Sequence, residues 1–215
     1  MSMSRAERTA TGRPSSMPRP GAWPQAGGCQ LREHAPDEAA PVQRYIQQRY
    51  AAAYGARLEH FMPRLFSLRA PDGGMLGAFG IRTGEQHFFL ERYLDESVER
   101  AIGRRLGAHV ARRRIVEIGQ FAGWGPGAMR AMIAMLTARL HGEGVEWVVF
   151  TGTRALRNAF QRLGLQPCVL TRAEADRLDP MERPAWGRYY AHAPLVLFGN
   201  VAEGFLALAG AERAQ

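Results

Sequence analysis

The sequence predicts an α/β fold: one domain with a mixed central sheet and helices on both faces. Three observations carry that prediction. Short apolar runs alternate with stretches of helical spacing. Two strand-then-helix units follow each other in the second half of the chain. A β-branched run, Ile115-Val116-Glu117-Ile118, reads as a central strand covered on both sides. With 215 residues and 46% apolar content, the chain can bury a substantial core.

The elements follow in order. Residues 1–28 are rich in Ser, Pro, Gly, Arg and Ala and are read as a disordered tail, followed by a domain over 29–205 and a flexible C-terminus over 206–215. A short strand around Gln30–Glu33 leads to Asp37, a helix cap by residue type, and then to Val42, Ile46, Tyr50 and Ala53 at helical spacing, ending near Gly55. Leu65–Leu68 and Met75–Ile81 flank Pro71-Asp72-Gly73-Gly74 and predict a hairpin. A second helix is expected from Ser97 to Leu106, and the central strand runs from Ile115 to Ala122. The turn Gly123–Gly127 precedes a helix marked by Met129, Ile133, Leu136 and Leu140. Val145–Phe150 is another strand. Thr153 can cap a helix that closes at Gly164, and strands near Leu165–Leu170 and Leu195–Phe198 complete the domain.

Composition narrows the function classes. The net charge of +8 arises from 28 basic residues that are all arginine, interspersed with acids. That uniformity reflects a compositional habit, and nucleic acid is not read as a specific partner. Cys29 and Cys168 match no zinc, haem or redox spacing, and the six histidines show no metal-ligand pattern, so no metal is expected. No segment approaches the roughly 18 consecutive apolar residues of a membrane span, and no apolar signal region follows the N-terminal arginines. A cytoplasmic protein is expected, with membrane contact not indicated.

The loop from Phe121 to Ala128 is the strongest local signal. Glycines let backbone N–H groups approach phosphate oxygens, and the following helix N-terminus favours an anion. Gly123, Gly125 and Gly127 fit neither a dinucleotide fingerprint nor a Walker loop, so this is read either as a pyrophosphate cradle or as a plain strand-to-helix turn. Glu117 is the most informative acid. Strand alternation puts it on one face with Ile115 and Phe121, where it is either a base of raised pKa or the partner of an arginine such as Arg112, Arg113 or Arg114. Glu91 and Tyr93 are candidates for a polar wall of an acceptor pocket, and Asn158 for reaching a donor at the cleft.

Several separated motifs occur in order: Tyr54-Gly55-Ala56 with Phe61-Met62-Pro63, Phe89–Asp95, Ile115–Gly119, Trp147 with Phe150–Thr153, Leu156-Arg157-Asn158, Leu163-Gly164-Leu165, and Trp186-Gly187 with Tyr189-Tyr190. Together they resemble the thermostable hemolysin family over about residues 40–200. That family is similar in layout to GCN5-related N-acetyltransferases and to acyl-homoserine-lactone synthases.

The resemblance implies an acyl-CoA N-acyltransferase-like fold whose central sheet splays, and an enzyme moving an acyl group from acyl-CoA or an acyl-carrier-protein thioester to a small-molecule amine or amino-acid-derived acceptor. On that layout Glu117 is the base, with Glu91 and Tyr93 beside the acceptor. The donor would lie along Gly119, Phe121, Ala122, Gly123, Trp124, Gly125, Gly127 and Ala128, with Thr151, Thr153 and Asn158 opposite. One departure stands out: Phe160 occupies the position where many acetyltransferases place the tyrosine that protonates the leaving thiolate. The alternatives are a directly membrane-active cytolysin, as the family name implies, and a binding module without turnover.

Overall fold

The computed structural model describes residues 28–213, so the expected N-terminal tail lies outside the described residues apart from Gly28. The strands are β1 (Gln30–His34), β2 (Arg64–Arg69), β3 (Met75–Thr83), β4 (Ile115–Gly123), β5 (Trp147–Gly152), β6 (Cys168–Arg172) and β7 (Leu195–Asn200). The helices are α1 (Ala40–Tyr54), α2 (Val98–Leu106), α3 (Gly125–Gly142), α4 (Arg154–Arg162) and α5 (Val201–Arg213). The seven strands form one sheet in the order β1-β2-β3-β4-β5-β7-β6.

Helices cover both faces, as expected for a mixed sheet. On one face α3, α4 and α5 bury Phe66, Phe79, Ile118, Phe150 and Leu197 beneath Met132, Ile133 and Leu136. On the other, α1 seals Ala78 and Ala122 with Val42, Ile46 and Met62, while Ile102 of α2 joins Phe88, Leu90, Ile115 and Phe198. The β2–β3 hairpin closes through Gly73 in the left-handed region, with Asp72 Oδ1 accepting from the Gly74 N–H at 2.9 Å.

One feature of the ladder positions everything that follows. All neighbouring strands are antiparallel except β4 and β5, which are parallel and paired over four positions only, Ile115↔Trp147 to Ile118↔Phe150. Beyond Ile118, β4 continues beside β3 as far as Gly123↔Gly77, and β5 continues beside β7 through Thr151↔Val196. The sheet therefore splits along a wedge, with the N-termini of α3 and α4 on its two sides.

Four expectations change. Asp37 lies in a 3-10 turn, Pro36–Glu38, and α1 starts at Ala40 without a side-chain cap. Thr153 occupies the cap position of α4, but its hydroxyl makes no capping bond. The sixth strand begins at Cys168 instead of Leu165, because Leu165 is buried in the α3–α5 core. The chain also continues past residue 205 as helix: α5 runs to Arg213 with Phe205 and Leu208 buried.

Between β6 and β7, residues 173–194 cross the α1 side of the sheet in three 3-10 turns. The Arg188 N–H donates to the Tyr54 carbonyl at 2.7 Å and the Arg57 N–H to the Ala185 carbonyl at 2.6 Å, pinning this crossing to the end of α1. Gly187 makes that approach possible. It sits at φ 53, and a Cβ there would lie 2.4 Å from the Tyr54 oxygen.

Candidate functional site

The wedge opens onto two adjoining cavities. Ile118, Gly119, Gln120, Thr151, Tyr50 and Tyr189 line both. The first, about 340 Å³, runs between the sheet and helices α3 and α5; the second, about 510 Å³, lies under the 173–194 crossing.

A bulge shapes their junction. Gln120 has a positive φ of 56, and the β3–β4 register slips by one residue between Ala78↔Ala122 and Gly80↔Gly119. Gln120 is held there by its own amide, which donates to the His60 carbonyl at 2.6 Å and accepts from the Met62 N–H at 3.1 Å. The bulge corrects the alternation argument. Phe121 turns to the α3 face and stacks on Phe79 at 5.4 Å, while Ala122 turns under α1, so Phe121 does not share the face of Ile115 and Glu117. Gly119 must be small, since a Cβ there would fall 2.1 Å from Met62 Cε.

Glu117 projects from β4 into the second cavity with 2% of its surface exposed. Its two oxygens accept from the Phe89 N–H at 2.8 Å and the Leu90 N–H at 3.0 Å. These are donors that the 3-10 turn Phe89–Tyr93 leaves without partners at its own start. An arginine is its ion-pair partner, as one reading expected, but it is Arg82 at 3.6 Å and none of Arg112, Arg113 and Arg114. Burial outweighs the two amide bonds and the Arg82 charge, and the carboxyl is pushed up to about 7.

Glu91 serves a different purpose. It does not line either cavity; it accepts from the Phe88 and Val98 N–H groups and pairs with Arg112 at 2.6 Å, which also holds Glu99 at 2.8 Å. Burial raises its pKa, but the Arg112 bonds and the backbone donors outweigh this and hold it below the ordinary carboxylate value. It is the joint between the 88–93 turn and α2.

Tyr93 does line the second cavity, with its hydroxyl 2.6 Å from that of Tyr190. Burial pushes both phenols above their ordinary value, so they serve as neutral donors. Arg57, Arg82 and Arg92 give this cavity a cationic rim, and His60 and His87 also line it. Arg82 is held by Glu117 and the His87 carbonyl, and Arg92 by Glu182, whereas the Arg57 guanidinium has no ion-pair partner among the described residues.

The expected donor-binding residues divide. Gly119, Phe121, Thr151 and Thr153 line the first cavity. Gly123, Trp124, Gly125, Gly127 and Ala128 form the wedge mouth outside it: Gly125 and Gly127 fall in the first turn of α3, and Trp124 is 66% exposed with the Arg49 guanidinium 4.7 Å from its ring centre. Asn158 is exposed on α4, outside both cavities, and Phe160 lines the first, stacked on Phe150. Sequence reasoning missed Gln120, Arg82, Arg57 and Tyr189 as site residues. Only Tyr189 carried a signal, through its place in a family motif. Among the described residues no group of His, Cys, Asp and Glu side chains is arranged to hold a metal ion, and no helix is long and apolar enough to cross a membrane.

Comparison with known proteins agrees with this architecture. The family described as Thermostable hemolysin matches residues 32–205. No curated protein matches the chain. Among solved structures, FeeM, an N-acyl amino acid synthase from uncultured soil microbes, aligns with a TM-score of 0.56 at 15% identity, over 81% of this chain and 93% of its own. The AHL synthase LasI aligns with a TM-score of 0.57 at 11% identity, over 85% and 94%. An agmatine N-acetyltransferase aligns with a TM-score of 0.53 at 15% identity, over 80% and 99%. At these identities the likeness is one of fold: an open, splayed mixed sheet of the acyl-CoA N-acyltransferase type.

Proposed function

Because the chain belongs to the thermostable hemolysin family, we propose that it is an N-acyltransferase that moves an acyl group from a coenzyme A or carrier-protein thioester to the amine of a small, amino-acid-derived acceptor. The observation that carries this reading is the wedge between β4 and β5, which opens on an apolar cavity on one side and on buried Glu117 on the other. A thioester laid through the wedge has its acyl chain in the first cavity and its carbonyl at the β4 edge beyond Ile118, where no neighbouring strand occupies the backbone groups. The acceptor enters the second cavity. FeeM, LasI and the agmatine N-acetyltransferase, proteins of this fold, are described as acting in acyl transfer.

The chemistry then follows from the residues present. The acceptor nitrogen attacks the thioester carbonyl, the carbon–sulfur bond breaks, and the proton lost by nitrogen passes to Glu117, directly or through one water. A carboxylate that titrates near 7 is matched to that task. With Phe160 in place of a tyrosine, the departing thiolate takes its proton from solvent; its thiol pKa of about 8.5 makes a dedicated acid dispensable. The Arg57 guanidinium, which has no ion-pair partner among the described residues, suits an acceptor that carries a carboxylate as well as an amine.

The deciding experiment is titration with acetyl-, octanoyl- and palmitoyl-coenzyme A, followed by thiol release with a panel of amino acids and their decarboxylated amines. Saturable binding with amine-dependent thiol release is the expected result. Leakage from liposomes by the purified protein without donor or amine would instead favour direct cytolysis, the property in the family name.

A further inference from the structure

The acyl-transfer reading leaves chain length open, and the first cavity speaks to it. Its α3 wall is one continuous face, Met129, Ile133, Leu136 and Leu140, and its floor is Val148 and Phe150 of β5. Met129 marks the wedge end, where a Cβ on Gly123 would lie 3.5 Å from the Met129 nitrogen. Thr137 lines the deep part, but its hydroxyl donates to the Ile133 carbonyl at 2.8 Å. Its methyl faces α5, so Thr137 adds apolar surface there, beside Gln166, Asn200 and Glu203, which also line that end.

Across from Thr137 sits Gly204 of α5, and nothing in the backbone calls for glycine there. Its φ is not positive, and a Cβ would meet Thr137 Cγ2 at 3.5 Å and Leu165 Cδ2 at 3.8 Å, ordinary contacts. Glycine is a poor residue for a helix interior. As a lining residue it adds no side chain to the cavity. A well-packed core closes such space, and an open apolar cavity costs stability unless something fills it.

We propose that the donor is a long-chain acyl thioester and that Gly204 is the residue that sets the chain length the protein accepts. The proposal rests on the acyl-transfer reading. From Met129 to Leu140 the helix rises about 16 Å, which accommodates about twelve to fourteen extended carbons at about 1.25 Å each. From Met129 to Thr137 it rises about 12 Å, room for about eight to ten carbons. A Cβ at 204 points toward Thr137 and Leu165, both of which line the cavity, so a side chain larger than methyl would project into that interval.

The test is calorimetric titration with saturated acyl-coenzyme A of four to eighteen carbons, below micelle-forming concentrations, and with the same chains on carrier protein, using the native chain, Gly204→Ala and Gly204→Leu. In the native chain affinity should rise about fourfold per methylene and level off at about twelve to fourteen carbons. Gly204→Ala should match it within about threefold, since a methyl fits. Gly204→Leu should bind chains up to about eight carbons as the native chain does and gain nothing beyond about ten. Levelling before ten carbons in the native chain overturns the proposal while leaving acyl transfer standing. So does an unshifted plateau in a Gly204→Leu variant that melts as the native chain does. Failure of every donor, on either carrier, removes both the proposal and the reading beneath it.

Discussion

Replacing Glu117 by Gln perturbs the proposed site at one atom. The side chain keeps its length and one accepting oxygen, but where the second oxygen accepts an N–H from the 89–90 turn, a variant amide NH2 faces a donor. Losing that bond costs about 1–3 kcal/mol, which a folded domain of this size tolerates. The gain is of the same order. Glu117 is raised from 4.5 to about 7 by burial, so between those values the folded chain holds a proton that the unfolded chain has released. Native stability therefore falls as pH rises through that window, by about 3 kcal/mol in full at about 1.4 kcal/mol per pH unit. The Gln variant should lack this slope, which chemical denaturation between pH 4.5 and 8 measures. In catalysis the native kcat/KM should rise through pH of about 7 as the carboxylate forms. The variant should lose that limb and about 10²–10⁴ in rate while donor affinity stays unchanged. Thiol release followed from pH 5.5 to 9 reads both, and the ionisation of the acceptor amine, common to the two proteins, does not confuse them. A variant with nearly native turnover and the same acid limb would show that Glu117 only holds the 89–90 turn.

Three further outcomes follow from the structure. Arg112→Ala strands Glu91, whose side chain is 8% exposed, and should cost about 3 kcal/mol in denaturation. Because Arg112 and the backbone donors hold Glu91 below its ordinary value, its contribution is present above that value and lost as pH falls. The native chain should therefore lose more stability on acidification than the variant, and equal losses would refute the assignment. Gly187→Ala drives a Cβ into the Tyr54 carbonyl and should lower stability by at least about 1–3 kcal/mol; an unchanged melting temperature would mean the crossing is not pinned there. Asn158→Ala should leave donor affinity within about 0.5 kcal/mol, since Asn158 is exposed on α4 outside both cavities. A larger loss in titration would restore it to the donor site.

What the sequence disclosed was what neighbouring residues decide. The spacing of Val42, Ile46 and Tyr50, the Asp72-Gly73 turn and the β-branched run into Glu117 each encode their element locally, and each appears where expected. Alternation located Glu117 correctly but failed three residues later. The bulge at Gln120 depends on the His60 and Met62 backbone groups nearly sixty residues away, and no local pattern announces it. Glu91 looked like a site acid because its partner, Arg112, comes 21 residues later across the fold. The helix after β7 was within reach: Asn200 stands three residues before Glu203 and accepts its N–H at 3.0 Å, a helix-start signal that the absence of any intervening loop obscures.

The short parallel pairing of β4 with β5 gives the molecule a seam. On one side stand four strands in a continuous antiparallel ladder, on the other three, and four residue pairs stitch the two panels together. A donor whose pantetheine amides lie in the wedge would extend that stitching as an extra, unlinked strand. The same molecule would then be reagent and fastener: amide protons of residues 119–123 and 151–153 should exchange slowly with a thioester bound and faster once the product has left, so that turnover re-opens the seam it depends on.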